Sequence, residues 1–337
     1  MVTRRKLLKA SVAATALVWC GTSARPARAA DFTLKWGHSM PTTHSVNIRG
    51  NEAVEKILKE TNGRVDIKIF PDNQLGGDND MTAQVRSGGI DLYSAAATSI
   101  GPLVPFVGIT NMAFAFQDSA QAWKALDGDL GKLVINAFTK VNLHAFDKMW
   151  SNGFREITTA PNPIRSAADL KGFKIRVPTS PVLLSLFRGL GASPTSMNVS
   201  ELYTALQTRI VDGQENPLSV IATRNFNEVQ KYCALTNHVF DSFVMVANME
   251  TWKGLPADLQ RIVARNLNDA AMRQREDADR MNASLQKDLE AKGMIFNTPD
   301  LASFRDALKT AGFYAQWQKT YGEESWKVLE QYSGKLA

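Results

Sequence analysis

From Phe32 onward the chain switches between two hydrophobic periods. Phe32, Leu34 and Trp36 alternate with Thr33 and Lys35, the two-residue period of a half-buried strand. Ala53, Val54, Ile57 and Leu58 then recur at helical spacing, and Gly63 supplies a stop. Val65, Ile67 and Ile69 alternate with Asp66 and Lys68 as far as Pro71, which predicts a second strand. A short helix is expected over residues 81–86, closed by Gly88-Gly89, and a third strand over 90–95. Strand, helix, strand, helix, strand predicts an α/β layer with parallel strands.

The alternation resumes after residue 150. Residues 172–178 read as a strand stopped by Pro178, with Phe173, Ile175 and Val177 on one face and Lys174 and Arg176 on the other. Ser200 is the expected cap of a helix carrying Leu202, Leu206 and Ile210, which Gly213 ends. After Pro256 neither Gly nor Pro occurs until Gly293. Leu259, Ile262, Val263, Leu267, Ala270, Ala278, Met281 and Leu285 make a helical stripe there. This is either two helices with a disguised turn or one helix of about 55 Å lying across two domains.

Composition narrows the class. The 337 residues are 44% hydrophobic and 21% charged, enough for a sizeable core and for two domains or one large one. The net charge of +6 suggests a polyanionic partner until the charges are located. Six of the 39 basic residues (Arg4, Arg5, Lys6, Lys9, Arg25, Arg28) fall in residues 1–29, which hold no acid, leaving 33 basic against 33 acidic residues. Nucleic acid is therefore not an expected partner. Residues 1–29 read as an export leader: a basic start, an apolar run from Ser11 to Cys20, and Ala27-Arg28-Ala29 as cleavage site. The Arg4-Arg5 pair reads as a twin-arginine signal, and an ordinary Sec leader containing Arg-Arg is the alternative. The expected product is a periplasmic protein. Cys233 alone remains after cleavage, so neither a disulfide within the chain nor a cysteine metal site is expected.

The chain has no G-x-S-x-G, H-E-x-x-H or P-loop, and its four histidines lack metal-ligand spacing. No metal and no cofactor is expected. His38 and His44, six apart across Pro41, read as loop histidines. Gly76-Gly77-Asp78-Asn79-Asp80 lacks the closing Glu of a Ca²⁺ loop and reads as a helix start capped by Asp78 or Asn79. Trp150, close to Arg155, is either core or a ligand wall. Arg176 either faces solvent or, if its face lines a cleft, grips a carboxylate through two hydrogen bonds. Asn216, held by Pro217, offers a donor and an acceptor at a fixed place.

Residues 170–178 (LKGFKIRVP), then 191–195 (GASPT), 200–207 (SELYTALQ) and 211–217 (VDGQENP) together resemble the DctP-type solute-binding proteins of tripartite ATP-independent periplasmic (TRAP) transporters. Phe70-Pro71, Gln74-Leu75-Gly76, Ser87-Gly88 and Ile90-Asp91 extend the resemblance through the first half of the chain. It implies two α/β domains joined by hinge strands, with a long helix spanning both. The boundaries expected are 30–152 plus 242–281 for domain I and 153–241 plus 282–337 for domain II. It implies a receptor, not an enzyme, that closes on a small organic acid and delivers it to small and large membrane subunits. By resemblance Arg176 grips the ligand carboxylate, Arg155 and Asn216 assist, and Asp78 contacts the hydroxylated end of the ligand in the sialic-acid members. Those members carry Glu where Ala96 aligns and Phe where Val199 aligns, which argues against sialic acid. Thr179 falls where a ligand-contacting Asn sits in those relatives. A smaller polyhydroxylated acid, first of all a uronate, is expected instead. Trp150 would be a stacking wall, and Asp78, Thr179, His38 and Asn198 hydroxyl partners. A monomer is expected. An exported lyase or isomerase acting on acidic sugars, and a ligand sensor for a membrane kinase, are the alternatives.

Overall fold

A computed structural model describes residues 30–336, so the leader reading of residues 1–29 lies outside the described residues. The chain runs β1 (Phe32–His38), α1 (Ser45–Glu60), β2 (Val65–Phe70), α2 (Asp78–Ser87), β3 (Leu92–Ala96), α3 (Ala97–Ile100), α4 (Ser119–Leu126), α5 (Asp129–Thr139), β4 (Leu143–Ala145) and β5 (Trp150–Thr159). It continues with β6 (Lys174–Val177), α6 (Pro181–Gly189), β7 (Ser193–Ser196), α7 (Val199–Gln207), β8 (Gly213–Asn216), α8 (Leu218–Thr223), β9 (Tyr232–Asn248), α9 (Met249–Gly254) and α10 (Ala257–Ala291). It closes with β10 (Ile295–Asn297), α11 (Leu301–Thr310), α12 (Phe313–Tyr321) and α13 (Glu323–Ser333).

The strands form one mixed sheet in the order β2-β1-β3-β9-β5-β8-β6-β7, with β4 and β10 also paired to β9. Parallel pairing holds within each half, β2-β1-β3 on one side and β8-β6-β7 on the other. The two central strands, β5 and β9, run antiparallel to each other and to their flanking neighbours β8 and β3. The 17 residues of β9 pair with β3 at one end and with β5 and β10 at the other, so this strand belongs to both halves. Its side chains alternate between two cores: Val244 and Val246 join the cluster under α2, α4, α5 and α6, while Phe243, Met245 and Ala247 join the cluster under α1, α7 and α10.

The stretch after Pro256 is one unbroken 35-residue helix, with Pro256 in the capping position rather than inside the first turn. Leu259, Val263, Leu267, Ala270 and Ala271 are buried. Gln274, fully buried, donates to Ser45 Oγ (3.0 Å) and to the Ser151 carbonyl (2.9 Å) and accepts from the Ser151 N–H (2.7 Å). This stitches α10 to both α1 and the start of β5. Arg275 adds the Met149 carbonyl (2.8 Å), and Arg49 reaches Asp277 (2.6 Å). Two local expectations are corrected. Asn198, not Ser200, occupies the capping position of α7, and Ile210 lies beyond that helix, 63% exposed. His38 and His44 are buried at 1% exposure, and the His44 ring accepts from the Val46 N–H at the start of α1.

Candidate functional site

Residues from both halves surround a cavity of about 20 Å³ that is lined by Ser39, Met40, Asp78, Ala96, Thr98, Ser99, Asn152, Arg155, Arg176, Pro178, Val199, Asn216, Val220 and Phe243. That is room for about one water molecule, so admitting a larger ligand requires the lining residues to move apart. An open groove on the outer surface, lined by Leu184, Arg188 and Trp317 among others, is larger but gathers no buried polar groups.

The irregularities of β5 build this site. Its register against β9 shifts between Ser151 and Gly153 and again between Arg155 and Ile157. Gly153 has φ +110°, a conformation that favours glycine. In a regular strand, residues three apart point to opposite faces. The bulge instead lets Asn152 Nδ2 and Arg155 Nη1 both donate to Asp241 Oδ2, at 2.8 and 2.9 Å.

Arg155 is almost fully committed to partners inside the protein. Its Nε donates to Glu215 Oε2 at 2.5 Å, and its Nη2 faces Glu215 Oε1 (2.9 Å), the Glu215 carbonyl (2.7 Å) and Asn216 Oδ1 (3.1 Å). Thr98 donates to Asp241 (2.9 Å). His238 Nε2 lies 3.2 Å from Glu215 Oε2, and its Nδ1 lies 2.8 Å from Thr236 Oγ1. Burial, offset only in part by Glu215, pulls the His238 pKa down. A neutral ring then donates from Nε2 to Glu215 and accepts at Nδ1 from Thr236. Burial would raise the Glu215 pKa, but Arg155 and His238 outweigh it and hold the carboxyl below its ordinary range. Burial raises the Asp241 pKa, against the pull of Arg155.

Arg176 is the opposite case. It is 2% exposed, and its Nε and Nη2 both donate to the Met197 carbonyl, at 3.0 and 2.6 Å. Among the described residues it forms no ion pair. Burial lowers its pKa to about 10, against the attraction of Glu215. It remains charged at neutral pH, unlike a neutral fill of the same space. A buried cation without a carboxylate partner is costly, and an anion entering the cavity would offset that cost. Asp78, 3% exposed, accepts from the Tyr93 hydroxyl at 2.9 Å and keeps further acceptor capacity on the cavity side. It is the first residue of α2. Gly77 occupies the capping position, and the Asp80 carboxylate accepts from the Gly77 N–H at 2.9 Å, where a cap at Asp78 or Asn79 was expected.

The cavity thus gathers Arg155, Arg176, Asn216 and Asp78, and four other candidates lie outside its lining. Trp150 is fully buried with its ring edge-on to Trp36 (5.9 Å), a core residue because its strand face points into the apolar cluster under α1. His38 is buried against Trp36, and desolvation pulls its pKa down to about 4. Thr179 donates to the Ser99 carbonyl at 3.2 Å in an outer groove. Asn198 abuts the Gly77 backbone, where an added Cβ would stand 2.8 Å from Asn198 Cγ. Sequence reasoning missed Glu215, Asp241, Asn152 and Thr98. Asp241 carried a readable signal, the lone acid among the 17 residues of β9. Among the described residues no His, Cys, Asp and Glu side chains cluster so as to hold a metal ion.

A two-half α/β architecture, a central pair of shared strands and an enclosed cleft holding an unpaired arginine define the class of ligand-binding proteins. The chain belongs to the DctP family, bacterial extracellular solute-binding protein family 7, whose pattern it matches over residues 36–319. It is 32% identical over 280 residues to the 2,3-diketo-L-gulonate-binding periplasmic protein YiaO of Escherichia coli K12, covering 82% of this chain and 84% of that one. Among solved structures it resembles the sugar acid binding protein DctPAm from Advenella mimigardefordensis in complex with galactonate. There the TM-score is 0.86 and the identity 29%, over 92% of this chain and 100% of that one. It also resembles a TRAP periplasmic solute binding protein from Polaromonas bound to D-erythronate, with TM-score 0.85 and 30% identity over 91% of this chain and 99% of that one. These relatives carry the two-domain fold expected from the sequence. Among the described residues no helix is long and apolar enough to cross a membrane.

Proposed function

We propose that this protein is a periplasmic receptor that closes on a small hydroxylated monocarboxylate, a sugar acid of the aldonate or uronate type, and hands it unchanged to TRAP membrane subunits. The observation that carries the reading is Arg176: a buried, charged fork aimed at the cavity with no carboxylate of its own. The ligand carboxylate would complete that pair. Asn216 and the remaining N–H of Arg155 Nη1 would orient it, and Asp78 would accept a hydroxyl at the far end. The sugar acids bound by the structural relatives support the same class. Asp78 also excludes: a second ligand carboxylate placed near it would meet a buried like charge. Hydroxy acids should therefore outbind dicarboxylates of the same length. The closing lobes are residues 30–152 with 242–281, and 153–241 with 282–337.

The test is calorimetry on residues 30–337 against D-galactonate, D-galacturonate, D-erythronate and succinate. Hydroxy acids should bind and succinate should bind at least about tenfold more weakly; Asp78→Asn should narrow that gap by weakening the first and admitting the second. Tight succinate binding by the unaltered protein would overturn the role of Asp78. No binding of any acid, by a preparation stripped of carried-over ligand, would overturn the receptor reading.

A further inference from the structure

A third arginine, Arg224, reaches across the cleft and belongs to no part of the cavity lining. Arg224 follows α8, in the half built on β8, β6 and β7. Its Nη2 donates to the Ser39 carbonyl, to Asp72 Oδ1 (3.2 Å) and to Asn73 Oδ1 (3.4 Å). Those acceptors sit on the turns that follow β1 and β2, in the other half. In the sheet β2 and β8 are separated by β1, β3, β9 and β5, so strand pairing does not bring these groups together. They meet only because the two halves face each other across the cleft.

The receiving turn is shaped for a guanidinium. Asp72 and Asn73 both have positive φ, 51° and 61°, a conformation that Asn and Asp tolerate better than most residues. The turn is fastened to the end of β1, with the Asp72 N–H on the Met40 carbonyl (2.9 Å) and the Asn73 N–H on the His38 carbonyl (3.2 Å). Asn73 Nδ2 donates to the Gly76 carbonyl (3.2 Å), which fixes the amide so that its oxygen is free to accept. Three oxygens therefore converge on one guanidinium nitrogen. The Arg224 side chain is only 12% exposed while Asp72 is 55% exposed, so the pair closes over the arginine and leaves the carboxylate at the surface. Ser39 also lines the cavity, so the same backbone segment touches the ligand space and the arginine.

We propose that Arg224 and the Asp72–Asn73 turn form an interlobe latch, made on closure and broken on opening, that sets how long a bound acid is retained. The proposal rests on the reading that the halves close on a ligand. A contact made only in the closed state leaves encounter unchanged and slows release, so its loss should appear in the dissociation rate.

Stopped-flow binding with D-galactonate as the probe tests it in four proteins: unaltered, Arg224→Gln, Asp72→Asn, and the two combined. Arg224→Gln should raise the dissociation rate roughly tenfold with little change in the association rate. Asp72→Asn should raise it less, and the double variant should be no faster than Arg224→Gln alone. High salt should speed release from the unaltered protein and not from Arg224→Gln. Unchanged release, or additive effects of the two substitutions, would overturn the latch. Thermal unfolding checks that Arg224→Gln folds, and Arg224→Lys, which keeps the charge without the fork, should fall between.

Failure of D-galactonate to bind would count against the acid reading, and a ligand-free measurement then judges the latch. Nitroxides on Lys59→Cys and Lys171→Cys, one in each half, report the distance distribution by pulsed electron resonance; native Cys233 is buried. The short-distance population should shrink in Arg224→Gln, and identical distributions would overturn the proposal.

Discussion

Arg155 and Arg176 border the same cavity, both buried, and their surroundings are opposite. Arg155 is held by two carboxylates, a backbone carbonyl and an amide oxygen. Arg176 is held by one backbone carbonyl. The first charge is matched within the protein, and the second is left for something else to match. Counting arginines around a cleft therefore says little about the charge of its ligand. What matters is the arginine whose partners are missing.

Two experiments bear on that contrast. Arg155→Met leaves Glu215 and Asp241 buried without their cation and should cost about 3–5 kcal/mol of stability, read by urea unfolding. An unchanged midpoint with lost binding would make Arg155 the principal ligand group and reverse the comparison. Arg176→Ala should weaken binding of the acid identified by calorimetry by about 2–5 kcal/mol, at least tenfold. Its unfolding midpoint should hold or rise, because an unpaired buried cation is removed. A fall in stability as large as that of Arg155→Met would show that Arg176 is structural.

A pH-dependent effect concerns Glu156, between the two arginine sites in sequence and opposite the irregular stretch of β9. Its carboxylate accepts from the Asn237 N–H (2.9 Å), and burial raises its pKa to about 8. The folded protein then holds a proton on Glu156 that the unfolded chain releases at its ordinary acidic pKa. Stability from this group is fully present below the unfolded pKa and declines as pH rises toward 8. The slope is at most about 1.4 kcal/mol per pH unit. Glu156→Gln, which can still accept from Asn237, should flatten that decline in unfolding measured from pH 5 to 9. An unchanged slope would mean that the carboxyl ionises freely and that burial does not govern this part of the hinge.

Much of the fold was legible because it is local. The alternation in β1 and β2, the stripe of α1 and the uninterrupted α10 each follow from residues near in sequence. What failed depended on distant neighbours. Strand alternation placed Lys174 and Arg176 on one face, and Lys174 is indeed exposed, but Arg176 is buried with its guanidinium on the Met197 carbonyl, in the segment between β7 and α7. Trp150 could be core or ligand wall by spacing alone, and Trp36, more than a hundred positions earlier, decides it. His38 and His44 read as loop residues because Pro41 separates them, yet His38 ends β1 against Trp36, His44 caps α1 against Phe243, and both are buried. Arg176 and Asn216 stood out from their local pattern, and the roles expected of Arg155, Arg176 and Asn216 came from family resemblance. The acids that distinguish the two arginines came from β8 and β9, where only long-range pairing brings them into reach.

The long helix has a mechanical consequence. The middle of α10 is clamped by Gln274, Arg275 and Asp277 to α1 and the start of β5, and Leu289, near its C-terminal end, is buried in the core that also holds Met294 and Cys233. A rod held at its middle and near one end cannot follow a relative rotation of those two supports without flexing. Helices of this length bend smoothly rather than break. Any relative movement of the two regions that α10 joins would therefore be shared with the helix as a bend between residue 277 and residue 289.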